Sequence, residues 1–314
     1  MDDQKEYSAT QEAPTNAPKT PIDAFFRVAA IASFVTFAIA VAGLRPATGR
    51  AAWEEFERII KIKSDPPAAP AQLSGHLTEQ LTGLKPQKQA ELLVEASIDH
   101  DGGATDQIGR LVDKWHGKLQ LTDHFSALLE SALNSNDLRV RAAALEVFLA
   151  AYKISKTPAG AARLENRISA DPNARPWALW MLGAIGNRGI EPENALATLR
   201  NYTHNPDERI RFWAVEGLGV LGSDGTIEPL LDVLRYDPSP KVKERAASSL
   251  AQSGMLTKGQ RMKAVPTLLN YAQDPSFDLT SRLWVFQALS DITGEHHGND
   301  PDAWRKWWNE RDRG

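Results

Sequence analysis

Basic residues at regular intervals are the first candidates for chemistry in this sequence of 314 residues. Five of them are separated by 34, 36, 32 and 39 residues: Arg141, Arg175, Arg211, Lys243 and Arg282. Four positions before each base stands a residue whose side-chain oxygen can cap a helix; these residues are Asp137, Asp171, Asp207, Ser239 and Asp278. The bases could form an anion-binding stripe or could pair with these capping residues. We favour the structural role, because each base has a carboxylate or hydroxyl within one helical turn.

Catalytic and metal-binding patterns are not found in the sequence. Glu295-His296-His297 is the densest group of metal-ligand types, but adjacent side chains on one segment chelate poorly without further ligands. The chain has no cysteine, which excludes disulfides, thiolate metal sites and a cysteine nucleophile. We find no phosphate-binding glycine loop and no nucleophile motif. We therefore predict a protein that is not an enzyme and that has no catalytic residue, metal or cofactor.

Tryptophans form the second candidate set, and we consider them for partner binding because Trp is frequent at binding hot spots. Three lie two positions after a base, and a fourth shares the first one's helix: Trp177, Trp213, Trp284 and Trp180. Ala143 and Arg245 interrupt the row, so a core position between repeats is favoured over a peptide-binding row. Three more share one face of the last helix by the i, i+3, i+4 rule: Trp304, Trp307 and Trp308. We expect that face to cover the last repeat.

The elements that position these residues are predicted from further repetition. Three positions after the bases lie Ala144, Ala178, Ala214, Ala246 and Val285, and seven after them lie Phe148, Leu182, Leu218, Leu250 and Leu289. Gly186, Gly222 and Gly254 recur eleven positions after a base, with Gly294 one place later; we interpret them as helix stops. An amphipathic segment precedes each such helix, and no segment alternates with the period of two typical of strands. Two helices per 32 to 39 residues predict an all-α solenoid.

The repeated unit resembles the HEAT repeat family, particularly the short bacterial repeats also found in phycobilisome-lyase-like proteins. Asp207 to Gly222 reads Asp-Glu-Arg-Ile-Arg-Phe-Trp-Ala-Val-Glu-Gly-Leu-Gly-Val-Leu-Gly, close to the family's second helix, and Pro229 and Pro266 fit its first helix. The resemblance covers five repeats over 122–294 and implies that acids and bases of successive units stack as a ladder. One HEAT-like hydroxylase holds iron with His-Glu dipeptides, and this chain has no such dipeptide.

Outside the repeats, the chain divides into further predicted segments. Residues 1–21 are polar and proline-containing, which is typical of a disordered tail. Residues 22–44 include an uncharged stretch from Val28 to Leu44 and are predicted to form a transmembrane helix; 45–70 are predicted to be a juxtamembrane helix and proline-rich linker. Residues 71–121 are predicted to form degenerate or capping helices near 72–82, 86–98 and 105–117, and 295–314 a Trp-rich capping helix.

The predicted function is a membrane-anchored scaffold or adaptor that binds a protein partner. The net charge of −4 argues against nucleic acid as a partner, and no small-molecule substrate is evident. A lyase-like HEAT enzyme, related to those that act on bilins, is one alternative. The other is a secreted protein cleaved after Ala40-Val41-Ala42, although five acids and three bases in the first 27 residues argue against a signal peptide.

The side of the membrane on which the repeats lie stays open. Bases following the apolar stretch outnumber those close before it, which favours a cytoplasmic repeat domain. Large domains cross membranes largely regardless of such charge differences.

Overall fold

Helices are the regular elements of the part of the chain that the structure describes, Leu73 and residues 75–311 of a computed structural model. These residues belong to one compact unit. The all-α prediction is thus confirmed for them, since they contain no strand. The predicted tail (1–21), transmembrane helix (22–44) and juxtamembrane segment (45–70) lie outside the described residues. Among the helices of the described residues, none is both long enough and apolar enough to cross a membrane.

The first three helices precede the repeated pairs: α1 (Gly75–Leu81), α2 (Pro86–Ile98) and α3 (Ala104–Trp115). Five pairs follow, which we number units 1 to 5. They are α4 (Asp123–Leu133) with α5 (Leu138–Ala151), α6 (Pro158–Ala170) with α7 (Arg175–Asn187), α8 (Pro192–Tyr202) with α9 (Glu208–Leu221), α10 (Ile227–Tyr236) with α11 (Pro240–Ala251), and the short α12 (Lys258–Met262) and α13 (Val265–Gln273) with α14 (Leu279–Thr293). The last helix is α15 (Pro301–Arg311).

Successive units stack through their second helices. Helix α7 contacts α5 and α9, α9 contacts α11, and α11 contacts α14, while each first helix packs on the second helix of its own unit. This stack is the arrangement of an α-solenoid. The predicted small and large apolar positions of the second helices, from Ala144 and Phe148 to Val285 and Leu289, are all at most 3% exposed. They therefore form the continuous core of the stack.

The row of second helices curls along its length. The Nη1 group of Arg141, at the start of α5, lies 3.5 Å from the backbone oxygen of Gln252, just after α11. Units 1 and 4 therefore meet although 111 residues separate these two positions. Arg261 lies close to Arg141 there, and it donates to the backbone oxygens of Ala251 and Gln252. Burial, and secondarily the charge of Arg141, lowers the pKa of Arg261 to about 10.

Glycines allow α7 and α9 to approach closely. A Cβ atom on Gly183 would overlap the carbonyl oxygen of Gly217, and one on Gly217 would lie 2.8 Å from the carbonyl oxygen of Leu179. Gly186, predicted to stop α7, lies buried inside it instead, where a Cβ would lie 3.0 Å from that of Ala195. The positive φ of 82° after this helix belongs to Gly189, so the prediction for Gly186 is wrong.

Candidate interaction surfaces

Four of the five recurring bases donate to backbone carbonyl oxygens at or just after the end of the first helix of their own unit. The distances are 2.6 Å from Arg141 to Ser135, 2.6 Å from Arg175 to Ile168, 3.0 Å from Arg211 to Asn205 and 2.8 Å from Arg282 to Asp274. Carbonyl groups at a helix C-terminus have no partner within that helix, and a cation there also interacts favourably with the helix dipole. These bases therefore join the first helix of a unit to the second.

Direct acid–base contacts between units are fewer than the predicted ladder requires. Among the described residues, one predicted base meets a predicted acid of the next unit: the Nζ atom of Lys243 lies 3.6 Å from Oδ2 of Asp278. Arg211 instead pairs with Asp237 at 2.7 and 3.1 Å. Instead of the predicted acid–base ladder between units, most of the bases donate to backbone carbonyl oxygens. They do so because the carbonyl groups that need donors lie within the same unit.

The predicted capping acids accept backbone hydrogen bonds at the starts of their helices. Asp137 accepts from the N–H of Arg139 and Asp207 from that of Arg209, each at 2.8 Å, and Asp278 accepts from that of Ser281 at 2.8 Å. Asp171 differs, since it accepts from Asn173 and Ala174 in a turn before α7. Pro176 has no N–H to extend the hydrogen-bond pattern backwards, so the regular helix begins at Arg175.

A second polar position, which our sequence analysis missed, recurs two residues before the caps. Its members are Ser135, Ser169, Asn205, Asp237 and Ser276. In three of the units its side chain accepts the N–H of the capping residue, as Asp237 does from Ser239 at 2.8 Å. The spacing was available in the sequence, but the pairing of Asp237 with Arg211 of the previous unit depends on how the units stack.

The four tryptophans of the second helices differ in exposure. Trp180 and Trp213 are each 4% exposed, and the Trp180 ring meets Phe148 edge-on at 5.6 Å. Trp177 and Trp284 are half-buried. Trp177 lies 5.2 Å from the ring of Tyr152. The continuous aromatic row considered for peptide binding is therefore divided between buried and half-buried rings.

The last helix packs against the first helix of unit 5. Helix α15 contacts α13, Trp304 is fully buried, and its Nε1–H donates to the Gly298 oxygen at 2.9 Å. The His297 ring meets Trp304 edge-on at 4.9 Å. Trp307 and Trp308 are half-buried, and the Arg311 guanidinium lies 3.8 Å from the centre of the Trp308 ring. Within the described residues, no three or more acidic or histidine side chains are grouped to hold a metal ion.

A concave pocket of about 400 Å³ lies between units 1 and 2. Tyr152 and Trp177 contribute aromatic rings, and Lys153, Arg163 and Arg167 contribute positive charges. The Arg167 guanidinium lies 5.5 Å from the centre of the Trp177 ring. Burial raises the pKa of the Tyr152 phenol, which the nearby Trp177 N–H partly offsets. Our sequence analysis did not identify this site, because its residues come from the end of one unit and both helices of the next.

The fold and these contacts define an α-solenoid protein. Residues 157–303 belong to the HEAT repeat family, whose model, described as HEAT repeats, matches 157–251 and 227–303. The predicted family is therefore confirmed over just under half of the chain, while unit 1 lies before the matched residues.

Other comparisons add little. Comparison with curated proteins gives no match. A crystal structure of an engineered protein from the Northeast Structural Genomics Consortium is 18% identical, with a TM-score of 0.31 over 70% of this chain and 96% of that one. That score is too low for the likeness to support a conclusion about fold or function.

Proposed function

We propose that this chain is a non-catalytic HEAT-repeat scaffold that binds a protein partner and is tethered to a membrane by residues 22–44. The observation that carries the proposal is the stack of HEAT repeats itself. Equivalent side chains of successive helix pairs line up along such a stack and provide an extended surface for a partner. HEAT repeats suggest a scaffold for protein interaction.

Half-buried tryptophans are the proposed contact residues. Trp180, Trp213 and Trp304 are at most 4% exposed, so we assign the contacts to Trp177, Trp284, Trp307 and Trp308, whose rings retain accessible surface. Tryptophan side chains offer a large contact area with few rotatable bonds, which favours binding.

The proposed tether rests on the sequence alone. Val28 to Leu44 has no charged residue, and with Phe25 and Phe26 it reaches about twenty residues, the length needed to span a bilayer. The bases that follow it favour a cytoplasmic repeat domain. The proline-rich segment before residue 71 would separate the repeats from the bilayer surface.

Site-specific photo-crosslinking in intact cells tests the binding proposal. A photoreactive amino acid at position 284 or 307 should give a discrete crosslinked product with a second protein. Tyr236, an aromatic residue that is 72% exposed and not part of the proposed surface, is the matched control position. If all three positions give the same products, or none gives any, the proposed surface is wrong.

Membrane extraction tests the tether. The full chain should remain in the membrane pellet after an alkaline carbonate wash, and a variant lacking residues 22–44 should be released. Release of the full chain would contradict the tether.

The side of the membrane on which the repeats lie can then be determined by labelling an Asn166→Cys variant, because residue 166 is exposed and the chain has no other cysteine. Protection from an impermeant maleimide in intact cells is expected for a cytoplasmic repeat domain.

A further inference from the structure

The pocket between units 1 and 2 combines aromatic rings with unneutralised positive charge. Its described lining contains Lys153, Arg163 and Arg167 and no carboxylate. No acid in the described part of the chain forms an ion pair with any of these three bases, whereas the neighbouring Lys156 pairs with Glu146 at 2.9 Å. Three exposed bases around a single concavity whose described lining has no carboxylate create a positive local potential, which favours an anionic ligand.

Trp177, which lines the pocket, also carries a buried hydrogen-bond donor. The Nε1–H of Trp177 is buried and has no hydrogen-bond partner among the described residues. Its approach to the Tyr152 hydroxyl is close enough to affect that group's pKa but does not satisfy the donor. An indole N–H can only donate, and leaving it buried without an acceptor costs free energy.

The backbone at Lys153 is a third and independent observation. The turn after α5 closes with hydrogen bonds from Ile154 to Leu149 at 2.9 Å and from Lys153 to Ala150 at 3.2 Å, which is the Schellman pattern. Glycine is usual at the left-handed position of this pattern, and Gly189 occupies it after α7. Lys153 instead adopts a φ of 57°. Such strain concentrates at functional sites. Lys153 also lines the pocket, while the methylene groups of its side chain lie near Gly117.

We propose that this pocket binds a small aromatic anion, either an aryl carboxylate or an aryl phosphate. The ring of the ligand would stack on Tyr152 and Trp177, and its anionic group would meet Lys153, Arg163 and Arg167. A volume near 400 Å³ lies within the usual range for small-molecule sites. This site goes beyond the scaffold function. It shares Trp177 with the proposed partner surface, and its test below uses no protein partner.

Calorimetric titration of the detergent-solubilised full chain tests the proposal with phenyl phosphate and benzoate as probes. Both should bind saturably, inorganic phosphate should bind about tenfold more weakly or worse, and phenol should not bind measurably. The Arg167→Gln variant should weaken phenyl phosphate binding by about tenfold or more. Arg110→Gln is the matched control, because it removes an exposed base from α3 outside this pocket, and it should leave the affinity unchanged.

The Lys153→Gly variant separates a ligand-binding role from a structural one. Glycine relieves the left-handed strain, so the variant should melt at a higher temperature than the native chain while binding phenyl phosphate more weakly. A variant that is more stable and binds equally well would overturn the role of Lys153. Absence of saturable binding for both aryl anions, or equal losses in the Arg167 and Arg110 variants, would overturn the site itself.

Discussion

At the scale of single residues, one of the contacts between units 3 and 4 is a buried ion pair. The side chains of Arg211 and Asp237 are 10% and 2% exposed. The Arg211 guanidinium also donates to the backbone oxygens of Asn205 and Pro206, and Asp237 accepts from the backbone of Ser239. Hydrogen bonding to Asp237 raises the pKa of Arg211. Since the remaining donors and acceptors are satisfied, loss of one partner would leave a buried charge without compensation.

Replacement of Asp237 with alanine should therefore destabilise the protein by about 3–5 kcal/mol. Urea denaturation followed by circular dichroism measures this loss. Glu228→Ala is the control, because its pair with Arg200 has side chains that are 72% and 51% exposed; the expected change is within about 1 kcal/mol. Similar losses in the two variants would show that the buried pair is not a significant contributor.

Acid should weaken the contact between units 4 and 5. Hydrogen bonds from Ser276 and the ion pair with Arg235 lower the pKa of Asp274 from 3.8 to about 2. A carboxyl group whose folded-state pKa lies below its unfolded value adds stability above the unfolded pKa, and that stability is lost as the pH falls towards the folded pKa. The native chain should thus lose stability between about pH 4 and pH 2.

The Asp274→Asn variant should lose less stability than the native chain as the pH falls, because its asparagine side chain does not titrate. Urea midpoints measured at several pH values from 5 to about 2 would show a shallower slope for the variant. Parallel slopes for the two proteins would contradict the assignment.

At the scale of helices, close packing of α7 on α9 depends on glycine. Gly183 and Gly217 face each other without side chains, so the two backbones come closer than alanine would allow. Ten of the thirteen residues of α7 and eleven of the fourteen of α9 are buried. The two helices that approach most closely at their glycines are therefore also buried along most of their length.

A Gly183→Ala variant should lose about 1–3 kcal/mol of stability, because the added methyl group overlaps the backbone of α9 and forces the helices apart. Gly109→Ala provides a matched control within α3, where a new Cβ would meet nothing within 4 Å. There alanine should stabilise by about 0.5–1 kcal/mol through its better helix propensity. Equal effects in urea denaturation would mean that the close approach of α7 and α9 does not matter.

At the scale of the whole molecule, the stack needs a cover at its last unit. Terminal repeats of a solenoid expose an apolar face unless another element covers it. Here α15 packs on α13, and Arg305 extends the contact through hydrogen bonds to Asn270 and Gln273 at 2.7 and 3.0 Å. The fully buried Trp304 is the centre of this cover.

The Trp304→Ala variant should lose about 3–5 kcal/mol of stability and should unfold first at its C-terminal end. Hydrogen exchange should accelerate in α13 and α15 before it does in α7 and α9, since neighbouring repeats open in locally cooperative groups. Trp308→Ala, on the same helix but half-buried, should cause a clearly smaller change. Uniform acceleration across all helices would instead indicate that the molecule unfolds as a single unit.

Much of the fold was predictable because its signals are local. A capping oxygen reaches N–H groups two or three residues away, and an amphipathic helix repeats within a few turns. Asp137, Asp207 and Asp278 accept such bonds, and the apolar positions that follow are buried. Gly186 shows the limit of this reasoning, since a glycine at a helix end and one at a helix contact look alike in a single sequence.

The sequence by itself determined that the chain forms repeated helix pairs, where the second helices other than α7 begin, and which family the repeats belong to. Only the tertiary structure decided that Arg211 pairs with Asp237, that Arg141 reaches Gln252, and that three bases line one pocket with two aromatic rings. The physical reason is distance along the chain. Contacts within a helical turn follow from residue type, whereas contacts between units depend on the rotation of each pair against the next, to which every packed side chain contributes.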